Sequence, residues 1–180
     1  MASWGAIARR IRVPLGFGFA VLYFWLAKPT VKSILIGTAL VIPGLLIRAL
    51  ASGQLKKNEQ LATEGPYAYT RNPLYLGSLI LAIGFALASR SWWIVAGIIL
   101  LFFAIYLPVI RAEEAFLRER FPQFEDYARH VPRFLPRLIP SAKNSGAFSP
   151  ELYWKHREYN ATLGAAGMLA ALLAKMLFWH

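Results

Sequence analysis

The sequence contains no cysteine. That excludes disulfides, thiolate metal sites and a cysteine nucleophile. Its three histidines, His130, His156 and His180, lie far apart and lack the spacing of metal ligands, so no metal is expected. No glycine-rich phosphate loop is present, which leaves a dinucleotide-binding site without its usual signature. Charge is scarce as well. Only 16% of the 180 residues are charged and 57% are hydrophobic, a balance unlike that of a soluble domain. Acidic residues are the rarer sign, nine against 20 Lys and Arg, for a formal net charge of +11. In a soluble chain that excess would suggest nucleic acid. Here the cations flank apolar runs, and no soluble segment is long enough for the groove that single strands require. Contact with anionic lipid headgroups is the simpler account, so the bilayer is an expected partner and nucleic acid is not. Internal repeats and low-complexity segments are absent.

What is present is a succession of apolar runs. Arg9, Arg10 and Arg12 precede the first, Val13 to Ala27. The outline is that of a signal peptide, but Phe24-Trp25-Leu26-Ala27 is bulky where a cleavage site needs small residues, so the run reads as a retained helix. Its 15 uncharged residues are short for a span and need Arg12 and Lys28 to snorkel. Lys28-Pro29-Thr30 breaks the chain. The second run, Ser33 to Ile47, carries a kink signal at Pro43-Gly44. The third runs from Asn72 to Ser89, and Arg90 marks a short turn. The fourth, Ser91 to Ile110, is twenty uncharged residues and the clearest span. From Arg111 to Arg137 charges alternate with Phe116, Leu117, Phe121, Phe124 and Tyr127 at mostly helical spacing. This predicts an amphipathic helix on the membrane or capping the bundle, ended by Pro132 and Pro136. Ser141 to Pro150 reads as a linker, Ser149-Pro150-Glu151 as a helix start, and Tyr159 to Trp179 as a fifth span rich in Gly and Ala.

The expected fold is therefore all-α: a polytopic membrane helix bundle of about five transmembrane helices with a cytoplasmic amphipathic helix. It reads as one domain over 1–180, with an N-terminal helical hairpin over 1–50, a core over 51–140 and a C-terminal helix over 150–180. Lys and Arg concentrate at the N-terminus, after the second run and after the fourth. By the positive-inside rule the N-terminus, Tyr67 and Glu113-Glu114 all face the cytoplasm, as in a bacterial inner membrane.

Two stretches carry chemistry. The first is Gly65-Pro66-Tyr67-Ala68-Tyr69-Thr70-Arg71-Asn72-Pro73-Leu74-Tyr75-Leu76-Gly77. Asn72-Pro73 suits a helix opening, with Asn as the cap and Pro in the first turn. Tyr67, Tyr69, Arg71 and Tyr75 crowd that mouth. A helix start can seat a carboxylate or phosphate. The same residues can equally be a headgroup anchor for a membrane helix. The second stretch is Arg111, Glu113 and Glu114, where the fourth run leaves the lipid. Charge at that depth is paired or functional. One reading is an ion-pair network with Arg118 or Arg71; the other is a carboxylate holding a cationic ligand. Adjacent glutamates point about 100° apart on a helix, so only one is expected to face the mouth.

Together these stretches resemble the membrane methyltransferases of the isoprenylcysteine carboxyl methyltransferase and phospholipid methyltransferase type. The likeness is carried by Gly65-Pro66-Tyr67, by Arg71-Asn72-Pro73-Leu74-Tyr75-Leu76-Gly77 and by Glu113-Glu114-Ala115-Phe116-Leu117, continuing through Phe121, Phe124, Tyr127 and Val131-Pro132-Arg133. The resemblance implies S-adenosyl-L-methionine as cofactor, held by the 51–140 core. It implies cofactor contacts from Gln60, Leu61, Ala62, Tyr67, Arg71, Asn72, Pro73, Leu74, Tyr75, Gly77, Glu113 and Glu114, with Arg111 and Glu113 as the catalytic residues. It implies methyl transfer to a membrane lipid or lipidated small molecule. The family's motif usually reads Arg-His-Pro; here Asn72 replaces the His and cannot titrate. The substrate-contacting Arg of eukaryotic members, one turn before the Glu, is Val109 here. A phospholipid amine would need a base that this motif lacks, which favours carboxylate methylation. A membrane reductase related to sterol reductases and a non-enzymatic lipid-binding protein are the alternatives.

Overall fold

The computed structural model describes residues 4–56, 59–141 and 147–179, the side chains of residues 5, 6, 9, 12 and 13 excepted. Their regular structure is helical throughout: α1 (Trp4–Leu26), α2 (Val31–Ser52), α3 (Pro73–Ser89), α4 (Trp92–Arg120), α5 (Phe124–His130), α6 (Pro150–Lys155) and α7 (Tyr159–Phe178). The chain is a membrane helix bundle. By length and composition α2, α4 and α7 are long and apolar enough to cross a membrane, while α3 and the Pro14–Leu26 part of α1 are shorter apolar helices. At 17 residues α3 is about 25 Å long.

The break at Lys28-Pro29-Thr30 ends in a capping box. Ser33 N donates to Thr30 Oγ1 (3.2 Å) and Thr30 N to Ser33 Oγ (2.9 Å), satisfying two donors of the first turn of α2. Ser33 Oγ also donates to Ala88 O at 2.9 Å, which ties the start of α2 to the end of α3. The two helices run antiparallel with glycine against glycine. A Cβ on Gly37 would stand 2.5 Å from Gly84 O, and one on Gly84 would stand 2.7 Å from Gly37 O. Gly44 and Gly77 repeat the arrangement seven residues on, at 2.9 and 2.7 Å. Backbones this close have no room for a side chain, and close packing is what joins helices in lipid, where both sides are equally apolar. Gly37→Ala is therefore expected to destabilise the fold by about 1–3 kcal/mol, seen as a lower thermal midpoint in detergent.

The hairpin expected of the first two helices is not the main pairing. α2 lies along α3, and α1 packs instead on α4. Ala8 is buried against Ile105 and Val109 of α4, with Ile11 and Tyr75 beside them. α2 continues through Pro43 to Ser52.

α4 also departs from expectation. The span does not stop at Ile110 and hand over to a separate helix; one helix continues to Arg120. Charge changes the surroundings a helix prefers but does not end it. Its local irregularity is a π-helical turn over Phe102–Tyr106, immediately before Pro108. Proline has no N–H for the carbonyl four residues earlier, here that of Ala104. Trp4 Nε1 of α1 donates to that carbonyl at 3.0 Å. The chain turns at Phe121 and α5 folds back, so the amphipathic face caps the bundle. Phe121, Phe124, Tyr127 and Val131 are buried together, with Leu61 and Leu117 against them.

α7 is attached at both ends. Arg48 Nε and Nη2 donate to Glu158 at 2.6 and 3.1 Å, and Arg48 Nη1 bonds Ser78 on α3. At the far end Lys175 Nζ donates to Trp25 O at 3.1 Å. The start of α1, the end of α2, the start of α3, the charged end of α4 and the start of α7 therefore gather at one end of the bundle.

Candidate functional site

At that end the loop from Gly65 to Asn72 meets the chain that follows α5. Arg71 N donates to Pro132 O (2.9 Å), Arg137 N to Tyr69 O (2.9 Å) and Ser141 N to Ala68 O (3.0 Å). These backbone bonds align the two segments without forming a sheet. Thr70 Oγ1 donates to Arg133 O at 3.0 Å, and Tyr127 OH to Tyr67 O at 2.7 Å. The motif stretch is thus clamped by residues 60 or more positions later.

Asn72 is the N-terminal neighbour of α3, but its side chain does not cap the helix. Its Nδ2 donates instead to Glu114 Oε1 at 2.9 Å and to Arg133 O at 3.2 Å. Glu114 is buried, 3% exposed, and lies among donors. Arg133 Nε and Nη2 reach its Oε2 at 3.0 and 2.8 Å, and Arg71 Nε stands 3.6 Å from its Oε1. The carboxylate raises the affinity of the Arg133 guanidinium for its proton, mainly through the hydrogen bond. The ion-pair network expected at this depth exists, built with Arg71 and Arg133. Arg118 pairs with Glu125 instead.

Glu113 faces a different partner. Tyr75 OH donates to Glu113 Oε1 at 2.9 Å. The Tyr75 ring meets Tyr106 edge to face, centroids 6.2 Å apart. Tyr106 belongs to the π-helical turn of α4, so that irregularity places an aromatic ring beside the start of α3. Both glutamates therefore approach the motif, where only one was expected. Glu114 is enclosed by the fold, and Glu113 is half-buried with one phenol on it.

Tyr67 is buried, and burial pushes its phenol far above the ordinary value of 10.0, with Tyr127, Glu113 and Glu158 adding to the effect. Burial also raises Tyr127, against a lowering by Arg71. Both phenols are thus neutral in the fold. Groups whose folded pKa is raised stabilise fully below their unfolded pKa and lose that contribution as pH rises through it. Thermal stability is expected to fall as pH passes about 10, with a shallower fall in Tyr127→Phe, as measured by melting curves between pH 8 and 11.

Other expected site residues are placed differently. Gly77 closes the seam with Gly44 and Arg48. Gln60 is exposed, Leu61 packs on the Phe121 cluster and Ala62 is half-buried. Pro73 is buried and Leu74 half-buried, with Leu74 O accepting from Arg48 Nη1 at 3.4 Å. Arg111 is exposed and joins no ion pair among the described residues, so it lies outside the cluster. Arg133 and Tyr106 are members that were not counted as site residues. The Val131-Pro132-Arg133 stretch held the signal for the first; the π-turn that presents Tyr106 has no sequence signature beyond Pro108.

Residues 33–123, half of the chain, match the phospholipid methyltransferase family. The chain is 37% identical over 136 residues to the cobalt-zinc-cadmium resistance protein CzcN of Cupriavidus metallidurans, covering 71% of this chain and 62% of that protein. It is 36% identical over 115 residues to the nickel-cobalt-cadmium resistance protein NccN of Alcaligenes xylosoxydans, covering 63% and 53%. It is also 31% identical over 104 residues to the protein-S-isoprenylcysteine O-methyltransferase of Schizosaccharomyces pombe, covering 57% and 44%. The chain thus spans between about two fifths and three fifths of the length of these relatives. No solved structure matches it. A helical membrane bundle in which both motifs meet at one end, with a family match across nearly all of α2 and the whole of α3 and α4, identifies the chain as a member of the phospholipid methyltransferase family of integral membrane methyltransferases.

Proposed function

We propose that the chain transfers the methyl group of S-adenosyl-L-methionine to a lipid or lipid-linked acceptor, a carboxylate oxygen in preference to a phospholipid amine. The observation that carries this is the Tyr75–Glu113 pair beside the uncapped start of α3. The residues fit the cofactor. Glu113 matches its ammonium. The first-turn N–H groups of α3, which no side chain caps, match its carboxylate. Arg71, next in the chain to Asn72, adds a cation: its Nε is buried without a hydrogen-bond partner among the described residues, 3.6 Å from Glu114 Oε1. The Tyr75 and Tyr106 rings suit a sulfonium by cation–π attraction. When bound, the cofactor supplies a methyl group already activated for in-line displacement. The protein's part is then to orient the acceptor and exclude water. Neutral phenols and the absence of His from the motif leave little to deprotonate an amine, whereas a carboxylate needs no base.

A lipid acceptor suits the interior below the site. A cavity of about 370 Å³ between α1, α3, α4 and α7 is lined by Phe19, Tyr23, Leu81, Phe85, Ile98 and Met168. Arg48 and Ser78 stand at its site end, and Ser78 is one turn beyond Tyr75 on α3. The concentration of Lys and Arg at this end supports a site on the cytoplasmic face, as in a bacterial inner membrane. The test is incubation of the purified protein with methyl-labelled S-adenosylmethionine and membrane lipid extract. Label should enter the lipid fraction and be released as methanol by mild alkali, as an ester requires. Alkali-stable label would shift the acceptor to an amine. No transfer, with oxidation of NADPH instead, would select the reductase.

A further inference from the structure

The segment after α5, residues 132–140, reads Pro-Arg-Phe-Leu-Pro-Arg-Leu-Ile-Pro and lies outside the family match. It holds three of the most exposed large apolar side chains of the molecule: Leu135 at 82%, Leu138 at 98% and Ile139 at 73%. A cluster like this in water would be an unfavourable surface. Three further observations explain it. First, Phe134 meets Phe102 of α4, centroids 5.4 Å apart and edge to face. Phe102 stands eight residues inside the uncharged run that ends at Ile110, about 13 Å of helix from the first charge, Arg111. The segment therefore reaches back to the depth of the lipid-facing belt of α4, where Ile99, Leu100 and Phe103 are themselves exposed. Second, Pro132, Pro136 and Pro140 have no N–H, so three of the nine residues bring no donor that lipid would leave unpaired. Third, the exposed Arg137 lies between Leu135 and Leu138 in the segment, with Nη1 donating to His130 O, so a cation stands among the apolar side chains where it can snorkel to headgroups.

We propose that residues 134–139 form a loop inserted in the acyl–headgroup boundary of the leaflet at the charged end of α4, with Leu135, Leu138 and Ile139 among the lipid chains. Interfacial segments bury their apolar side roughly 5–10 Å into that boundary. The loop is held to the Ala68–Asn72 stretch through Arg71 N to Pro132 O, Arg137 N to Tyr69 O and Asn72 Nδ2 to Arg133 O. Its insertion therefore sets the depth of the candidate site relative to the bilayer. This holds whatever chemistry the site performs.

The absence of cysteine makes the test direct. Leu138→Cys, Leu135→Cys and, as a water-facing control, Glu119→Cys each receive a nitroxide label in vesicles of phosphatidylethanolamine and phosphatidylglycerol. All three positions are exposed, so labelling needs no repacking. Spin relaxation by oxygen should exceed that by a water-soluble nickel chelate several-fold at 138 and 135, with the order reversed at 119. Nickel dominance at 138 and 135 would overturn the proposal by placing the loop in water. Weak collision with both reagents would overturn it too, by showing the cluster covered by protein such as a second copy of the chain.

Discussion

Glu113→Gln is expected to weaken binding of S-adenosylhomocysteine by roughly 30- to 150-fold, about 2–3 kcal/mol, while leaving the thermal midpoint unchanged. The substitution keeps the size of the side chain and an oxygen for the Tyr75 hydroxyl, so the contact at 2.9 Å survives. What is lost is the charge proposed to face the ligand ammonium. No cation of the fold is paired with Glu113 among the described ion pairs, so no buried partner is left uncompensated. Calorimetric titration beside a melting curve separates the two quantities. A fall in stability with unchanged affinity would assign Glu113 to the fold instead.

Glu114→Gln is expected to do the reverse. Its carboxylate is 3% exposed and neutralises Arg133 and, at longer range, Arg71, while accepting from Asn72. An amide offers one neutral oxygen where the fold uses two charged ones, and turns its N–H₂ toward a donor. Removing one partner of a buried ion pair costs about 3–5 kcal/mol, and the partial exposure of Arg133 (40%) argues for the lower end. The thermal midpoint should fall sharply, with the segment after α5 the first to release, since Arg133 and Asn72 both hold it. Ligand affinity of the molecules that remain folded should change less than in Glu113→Gln. An unaltered midpoint would mean that the cluster is dispensable to the cap.

These opposite expectations rest on a distinction the sequence could not make. The resemblance singles out Glu113, but residue pattern alone gives two adjacent glutamates the same surroundings. Arg133, 19 residues on and beyond a reversal of the chain at Phe121, joins Asn72 and Arg71 in deciding which of them the fold encloses. Asn72 illustrates the same limit. Its position before Pro73 reads as a cap, and local rules favour that; a buried carboxylate across the bundle instead accepts from its Nδ2, and its side-chain oxygen makes no cap bond. The helices themselves were legible because runs of apolar residues bounded by charge have few other stable forms in lipid. Their pairing was less so. Gly37, Gly44, Gly77 and Gly84 are each unremarkable alone, and it is their seven-residue register across α2 and α3 that makes them a seam. The continuation of α4 to Arg120 was hidden because the sequence marks where lipid ends, not where a helix does.

The central claim is that the end of the bundle where Asn72, Tyr75 and Glu113 meet binds S-adenosylmethionine. The measurement that tests it most directly is calorimetric titration of the detergent-purified protein with S-adenosylhomocysteine, with Tyr75→Phe and Glu113→Gln alongside. The account predicts saturable binding at one site per chain, weakened in both variants. Absence of binding to a folded protein, or binding indifferent to both substitutions, would contradict it.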